Sequence, residues 1–395
     1  MVRGLLASAR APFDPAGRGK RASGLLYFAL TAVFLVYLPA RIVVAFLVDG
    51  YHSGSPPFDF GIFLRAAHAV AAGHSPYPAS PHTFTGDDQY VYPPLLAFLV
   101  WPLTHISTGL AVAIWAAVGV GCVLLALWLL GVRDWRCYSV AFLFSFTRDA
   151  IGSGTVGPIL LLCIATAWRF RDRLPVASAG SVAAAVLLKL FLWPLVIWLA
   201  LTGRRRTATL SVVLGVVAAT VTWTAIGFHG LTAYVSMLRR LSHLEALRSY
   251  SALATVHALG LPEGAAWVIV GMLGAVLLGL AARAARESGV PRHQQDARSL
   301  TFSIAAALVL SPIVWTHYLV LLLAPIALAR PRLGLLWLVP LGYSALAWEG
   351  WTRDWARGDL LYLLPIVGVA GLTIGWSLMR SRPQRTYAAT LPSPG

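Results

Sequence analysis

GLAVAIWAAVGVGCVLLALWLLG, residues 109–131, carries no charged side chain. A helix needs about 20 predominantly apolar residues to cross a bilayer, and this run supplies them. Working outward, apolar runs recur from Leu25 almost to the C-terminus, separated by short polar breaks. The pattern predicts segments at roughly 25–48, 109–131, 135–148, 156–169, 175–188, 190–202, 207–228, 262–282, 298–312, 316–329, 332–347 and 359–379. Several fall short of a full crossing. Pairs such as 175–188 and 190–202 read as half-crossing helices, tolerated where protein or a polar cavity shields the backbone. The expected fold class is all-α: a polytopic membrane bundle of about twelve segments.

Composition agrees. The 395 residues are 58% hydrophobic and 12% charged, with a mean hydropathy of +0.73. Soluble domains carry about 25% charged residues. That excludes a soluble enzyme, a disordered chain and a nucleic-acid-binding domain. The net charge of +16 comes from 31 Lys and Arg against 15 Asp and Glu. The basic residues cluster between apolar runs, which is orientation charge under the positive-inside rule. One threading places 22 of the 31 in cytoplasmic segments, including Arg204–Arg206 and the cluster at 283–298. It requires residues 92–105 to lie as a helix on the outer surface rather than span. Residues 1–24 are expected as a loose cytoplasmic tail, not a cleaved signal peptide. Residues 25–380 are expected as one membrane domain and 381–395 as a second tail. The segments 49–92 and 229–261 are the longest outer loops, so a reaction site should open to that side.

Within 49–92, Phe63, Ala66, Ala67 and Val70 recur at helical spacing, with Arg65 and His68 off the stripe. Residues 60–72 therefore read as an amphipathic helix on the outer interface. Asp59, between Phe58 and Phe60, has two readings. It is a helix N-cap, or a partly desolvated general base. Lys189 follows a long apolar run. It either snorkels to the interface or supplies a point charge for a phosphate. His317 reads as a hydrogen-bonded structural residue or as a substrate contact. Arg239 and Arg240, with Arg248, suit a phosphate or lipid headgroups. Arg148 and Asp149 read as an internal ion pair. Trp101, Trp348, Trp351 and Trp355 read mainly as interface anchors. Cys122, Cys137 and Cys163 read as small apolar residues. His52, His74 and His82 lack metal-ligand spacing, so neither a metal nor another cofactor is expected.

Four motifs in order resemble a known family. FDFGIFLRAAHAVAAGHSPY (58–77) resembles the aspartate-containing first-loop motif of glycosyltransferase family 87, and Tyr92-Pro93-Pro94 resembles the Tyr-Pro-Pro that follows it. AAAVLLKLFLWPL (183–195) resembles its lysine-containing helix break, at Lys189 and Pro194. LSPIVWTHYLV (310–320) resembles its Ser-Pro-x-x-Trp-x-His element, at Ser311, Pro312, Trp315 and His317. The sequence departs from the family at Gly154-Thr155 and Tyr250-Ser251, positions expected to touch sugar hydroxyls.

The resemblance implies the GT-C fold and an integral glycosyltransferase of the bacterial plasma membrane, its site facing the periplasmic or extracellular side. It implies a polyprenyl-phosphate sugar donor, usually mannose, and a glycolipid or glycan acceptor. It carries the catalytic base onto Asp59. It favours Lys189 and His317 as contacts to the donor phosphate; Arg239 and Arg240 are expected there as a basic outer-loop cluster, and Tyr77, Tyr92, Trp315 and Asp88 are expected to bind substrate. A lipid or glycan transporter and a non-catalytic envelope-assembly scaffold stay open as alternatives.

Overall fold

A computed structural model describes residues 32–52, 54–78, 83–86, 88–346 and 360–380. The expected tails at 1–24 and 381–395, with His82, Asp87, Trp348, Trp351 and Trp355, lie outside the described residues. Those described are helical, with no strand among them. A π-helical turn at Ala32–Tyr37 leads into α1 (Leu38–His52), and the first loop holds α2 (Phe58–Ala71) and α3 (Leu95–Val100). Next come α4 (Thr108–Leu129), α5 (Trp135–Leu143), α6 (Ser145–Gly152) and α7 (Gly157–Phe170). After α8 (Pro175–Leu188), a short 3-10 turn precedes α9 (Pro194–Leu201), α10 (Arg205–Ala225) and α11 (Leu231–Glu245). The rest is α12 (Ala252–Ala258), α13 (Glu263–Ala284), α14 (Arg292–Leu310), α15 (Leu323–Ala329), α16 (Leu335–Leu346) and α17 (Leu360–Arg380).

Few of the twelve expected segments have, among the described residues, the length of a full crossing. Among the described residues α4, α10 and α13 are long and apolar enough to cross alone. α6 and α7 add a fourth if they count as one span, bent by 113° at its break. Shorter apolar helices, α8 among them, fill the interior. The segment expected at 135–148 is two helices, because Phe144 is extended (φ −65°, ψ 129°) and ends α5. Its ring is fully buried against Phe146, 5.1 Å away, so packing holds the break open.

Helices of opposite direction give the bundle two distinct ends. α7 and α9 run from one end to the other, while α8 and α14 run back. At the end where α7 and α9 finish, Asp296 of α14 accepts from Arg171 Nε at 2.9 Å and Arg204 Nη2 at 2.7 Å. Arg204 also donates to Asp172 at 2.7 and 2.9 Å. Trp198 donates its indole N–H to the Asp296 carbonyl at 3.1 Å, and Arg171 lies 3.8 Å over the Trp168 ring. The other end, roughly 20 Å away along a 14-residue helix such as α7, carries the breaks at 153–156, 189–193 and 311–316.

Candidate active site

The first turn of α2 is bolted to the α6–α7 turn. Asp59 N–H donates to the Ser153 carbonyl at 3.0 Å. Gly154 has a left-handed backbone (φ +70°), and a Cβ there would come 2.6 Å from Phe60 Cβ. Only glycine permits that approach. Trp115 of α4 stacks on Phe60 at 5.1 Å and donates its indole N–H to the Gly154 carbonyl at 2.8 Å. Phe60, Ile62, Phe63, Leu64, Ala66 and Ala67 are buried, while Arg65 and His68 are exposed. The expected amphipathic helix is therefore present, docked on the bundle by its apolar face. The capping role expected for Asp59 is not: Pro57 holds the N-cap position with no side-chain cap, and Asp59 lies inside the first turn.

Lys189 stands where α8 stops. Its backbone is extended (φ −152°, ψ 105°), and Pro194, at the start of α9, suits the restart because its missing N–H would be unsatisfied there anyway. Lys189 Nζ donates to the Tyr318 hydroxyl, 4.0 Å from the centre of that ring and 5.1 Å from the Tyr92 ring. Phe191 stacks on the Tyr318 ring at 5.2 Å. Tyr318 and His317 belong to the 3-10 turn Thr316–Leu322, which follows the non-helical stretch from Ser311.

These breaks surround a cavity of about 340 Å³. Asp59, Tyr92, Lys189, Trp315 and His317 line it, and so do Gln89, Asp149, Glu245 and Tyr318. Asp59 is half-buried and lies within electrostatic reach of Lys189, Tyr92 and Tyr318. Burial, and then the Asp59 charge, push the Tyr92 phenol well above its ordinary value, so it stays protonated.

The structure leaves other expected contacts outside. Tyr77 does not line the cavity: its hydroxyl donates to the Tyr92 carbonyl at 2.7 Å and its ring stacks on Trp223 at 5.1 Å. With Tyr234, which donates to the Val91 carbonyl at 3.0 Å, it braces the backbone that carries Tyr92. Asp88 is exposed, and it is its carbonyl that accepts from Arg65, at 2.8 Å. Arg239 is exposed, and Arg240 donates to the Phe84 carbonyl at 2.7 Å, tying α11 to the first loop. Thr155 accepts from Gly157 N–H at 3.1 Å, and Ser251 caps α12 by accepting from Ala254 N–H at 3.1 Å. Neither departure position reaches the cavity.

Sequence reasoning missed Asp149 and Glu245 as cavity residues. No ion pair forms between Arg148 and Asp149. Arg148 Nε finds no hydrogen-bond partner, and Asp149 is directed toward Thr316 and His317 instead. Glu245 is buried at the end of α11. Among the described residues no three His, Cys, Asp or Glu side chains gather as a metal site.

Fold and site together define an integral membrane protein whose short helices enclose a cavity of carboxylates and cations at one end. The profile of glycosyltransferase family 87 matches residues 90–316, more than half of the chain, and the protein belongs to that family. It is a membrane glycosyltransferase. No curated protein and no solved structure matches it. The matched stretch holds Tyr92, Lys189 and Trp315, while Asp59 precedes it and His317 follows it directly.

Proposed function

We propose that this glycosyltransferase moves a sugar, mannose by family resemblance, from a polyprenyl-phosphate donor to a lipid-linked or glycan acceptor at the outer face of a bacterial plasma membrane. Asp59 takes the proton from an acceptor hydroxyl. The acceptor oxygen bonds to the anomeric carbon as the bond from that carbon to the phosphate oxygen breaks. Polyprenyl phosphate leaves with the electron pair. One displacement inverts the carbon, giving an α-linkage from a β-linked donor. Lys189 and His317 stabilise the negative charge on the departing phosphate. Tyr92 and Trp315 contact the sugar. Arg239 and Arg240 have no part, since neither lines the cavity.

The observation that carries this reading is the meeting of Asp59, Lys189 and His317 at one cavity, from the first turn of α2 and two breaks in the helical pattern. Carboxylate base and cationic leaving-group donors are what sugar transfer from a phosphate needs. The test is transfer from synthetic polyprenyl-phosphate sugars by the purified protein and its Asp59→Asn variant. A general base contributes about 10²–10⁴-fold, and Asn keeps the size while removing the proton acceptor. The variant should fold like the parent and lose transfer by that factor. Near-parental transfer removes Asp59 from the mechanism. A parent inert with every polyprenyl-phosphate sugar removes the donor assignment.

A further inference from the structure

We propose that Asp149 is the positioning residue for His317, locking the imidazole so that Nε2 is the nitrogen presented to the cavity. Asp149 projects from α6, whose C-terminal turn is the one that anchors Asp59. Its Oδ1 accepts from the Ser153 hydroxyl at 3.0 Å. Its Oδ2 accepts from the Thr316 hydroxyl and lies 3.7 Å from His317 Nδ1. The carboxylate is thereby held by two hydroxyls, one on its own helix and one on the residue beside His317. The His317 side chain is only 10% exposed, and its ring centre is 4.9 Å from that of Tyr318.

A carboxylate at one imidazole nitrogen sets which nitrogen carries the proton and how the ring is turned. With Nδ1–H facing Asp149, the ring donates to a phosphate in the cavity as imidazolium, through a second proton on Nε2. This rests on the donor chemistry proposed above: charge grows on the phosphate as the glycosidic bond breaks, and a donor already aimed there needs no reorganisation. Asp149 lines the cavity with its side chain 36% exposed, but both its oxygens accept protein hydroxyls and one faces His317, so Asp59 stays the base in this reading. The same α6 turn thus sets two groups on one substrate. It anchors Asp59 through the Ser153 carbonyl and aims His317 through Asp149.

Asp149→Asn is the test, since Asn keeps the shape: its Oδ1 can still accept from one of the two hydroxyls, while the other turns to accept from Nδ2. An interaction made mainly in the transition state lowers kcat and leaves KM nearly unchanged. The expected loss in kcat is on the order of tenfold to a hundredfold, with donor KM close to parental and the thermal midpoint preserved. Added to His317→Gln, the substitution should cost nothing further, because its only route to the reaction is through that ring. If Asp149 merely braces α6, the thermal midpoint falls and the two losses multiply, which overturns the proposal. A second measurement needs no turnover: 15N spectra of histidine-labelled protein, with His317 assigned by its absence in His317→Gln. The parent ring should be protonated at Nδ1, and its signal should move in Asp149→Asn. A ring protonated only at Nε2, or one that Asp149→Asn leaves unmoved, overturns the proposal even in a protein inert toward polyprenyl-phosphate sugars.

Discussion

Lys189 carries its charge among aromatic faces, with the Tyr318 hydroxyl as partner and Asp59 as the carboxylate that supports the cation. A lysine so placed can stabilise the fold through its rings, by about 0.5–2 kcal/mol, or hold a phosphate, and the two roles separate on substitution. Lys189→Met keeps the aliphatic stem. Loss of a charge-assisted phosphate contact of roughly 1.5–3 kcal/mol should reduce donor use by about ten- to a hundredfold. Donor turnover and competition by polyprenyl phosphate check this in the purified variant. Parental values in both would leave Lys189 as a packing cation. Lys189, Asp59 and His317 were legible in the sequence mainly because each lies in a motif that resembles the family, with Phe58 and Phe60 around Asp59, Pro194 after Lys189 and Ser311-Pro312 before His317. Asp149 was not, because its partners Thr316 and His317 are distant in the chain and Arg148 next to it offered a nearer ion pair. Tyr77 was legible as a motif residue but not in its role, since spacing does not reveal that its hydroxyl is spent on the Tyr92 carbonyl.

At the scale of elements, the loops opposite the cavity are tied by charge. Asp296 ties α14 to Arg171 after α7 and to Arg204 before α10, with side-chain exposures of 3%, 11% and 6%. Asp172 completes the network at 59% exposure. Removing one partner of a buried pair costs about 3–5 kcal/mol, because the other charge stays desolvated. An exposed partner contributes about 0–1 kcal/mol. Asp296→Asn should therefore lower unfolding stability in detergent far more than Asp172→Asn. Equal effects would mean that water reaches the whole network. This network could not be foreseen, since its members come from two loops and a helix far apart in the chain, and its arginines read one by one as orientation charge. Local grammar fared better. The helix expected at 175–188 spans those residues, ended by a break before Leu190 and Pro194. The continuous helix expected at 135–148 failed because nothing local announces the buried pair of Phe144 and Phe146 that splits it. How many of the twelve expected segments cross fully was not legible for a related reason. Apolar runs report burial from water, and a short helix shielded by protein reads like a crossing one.

For the whole molecule, the two ends of the bundle differ in charge, and that difference sets its orientation. The Arg171–Arg204–Asp296 end also carries Arg169, Arg173, Arg205, Arg206 and Arg292. The cavity end carries Asp59, Asp149 and Glu245 with the long first loop, and its cations, Arg148, Lys189, Arg239 and Arg240 among them, stand against these acids. Excess Lys and Arg mark the cytoplasmic side, so the cavity should open outward, where a donor delivered across the membrane would meet it. Single-cysteine labelling in intact spheroplasts decides this, with Cys122, Cys137 and Cys163 first replaced by alanine. Asp88→Cys is suited to the cavity end, being exposed yet outside the cavity lining. Arg205→Cys is its exposed counterpart at the basic end. An impermeant thiol reagent should modify the first and spare the second until the membrane is opened. The reverse pattern would turn the cavity toward the cytoplasm. It would leave the chemistry of Asp59 and Lys189 intact but require a donor presented on the inner leaflet.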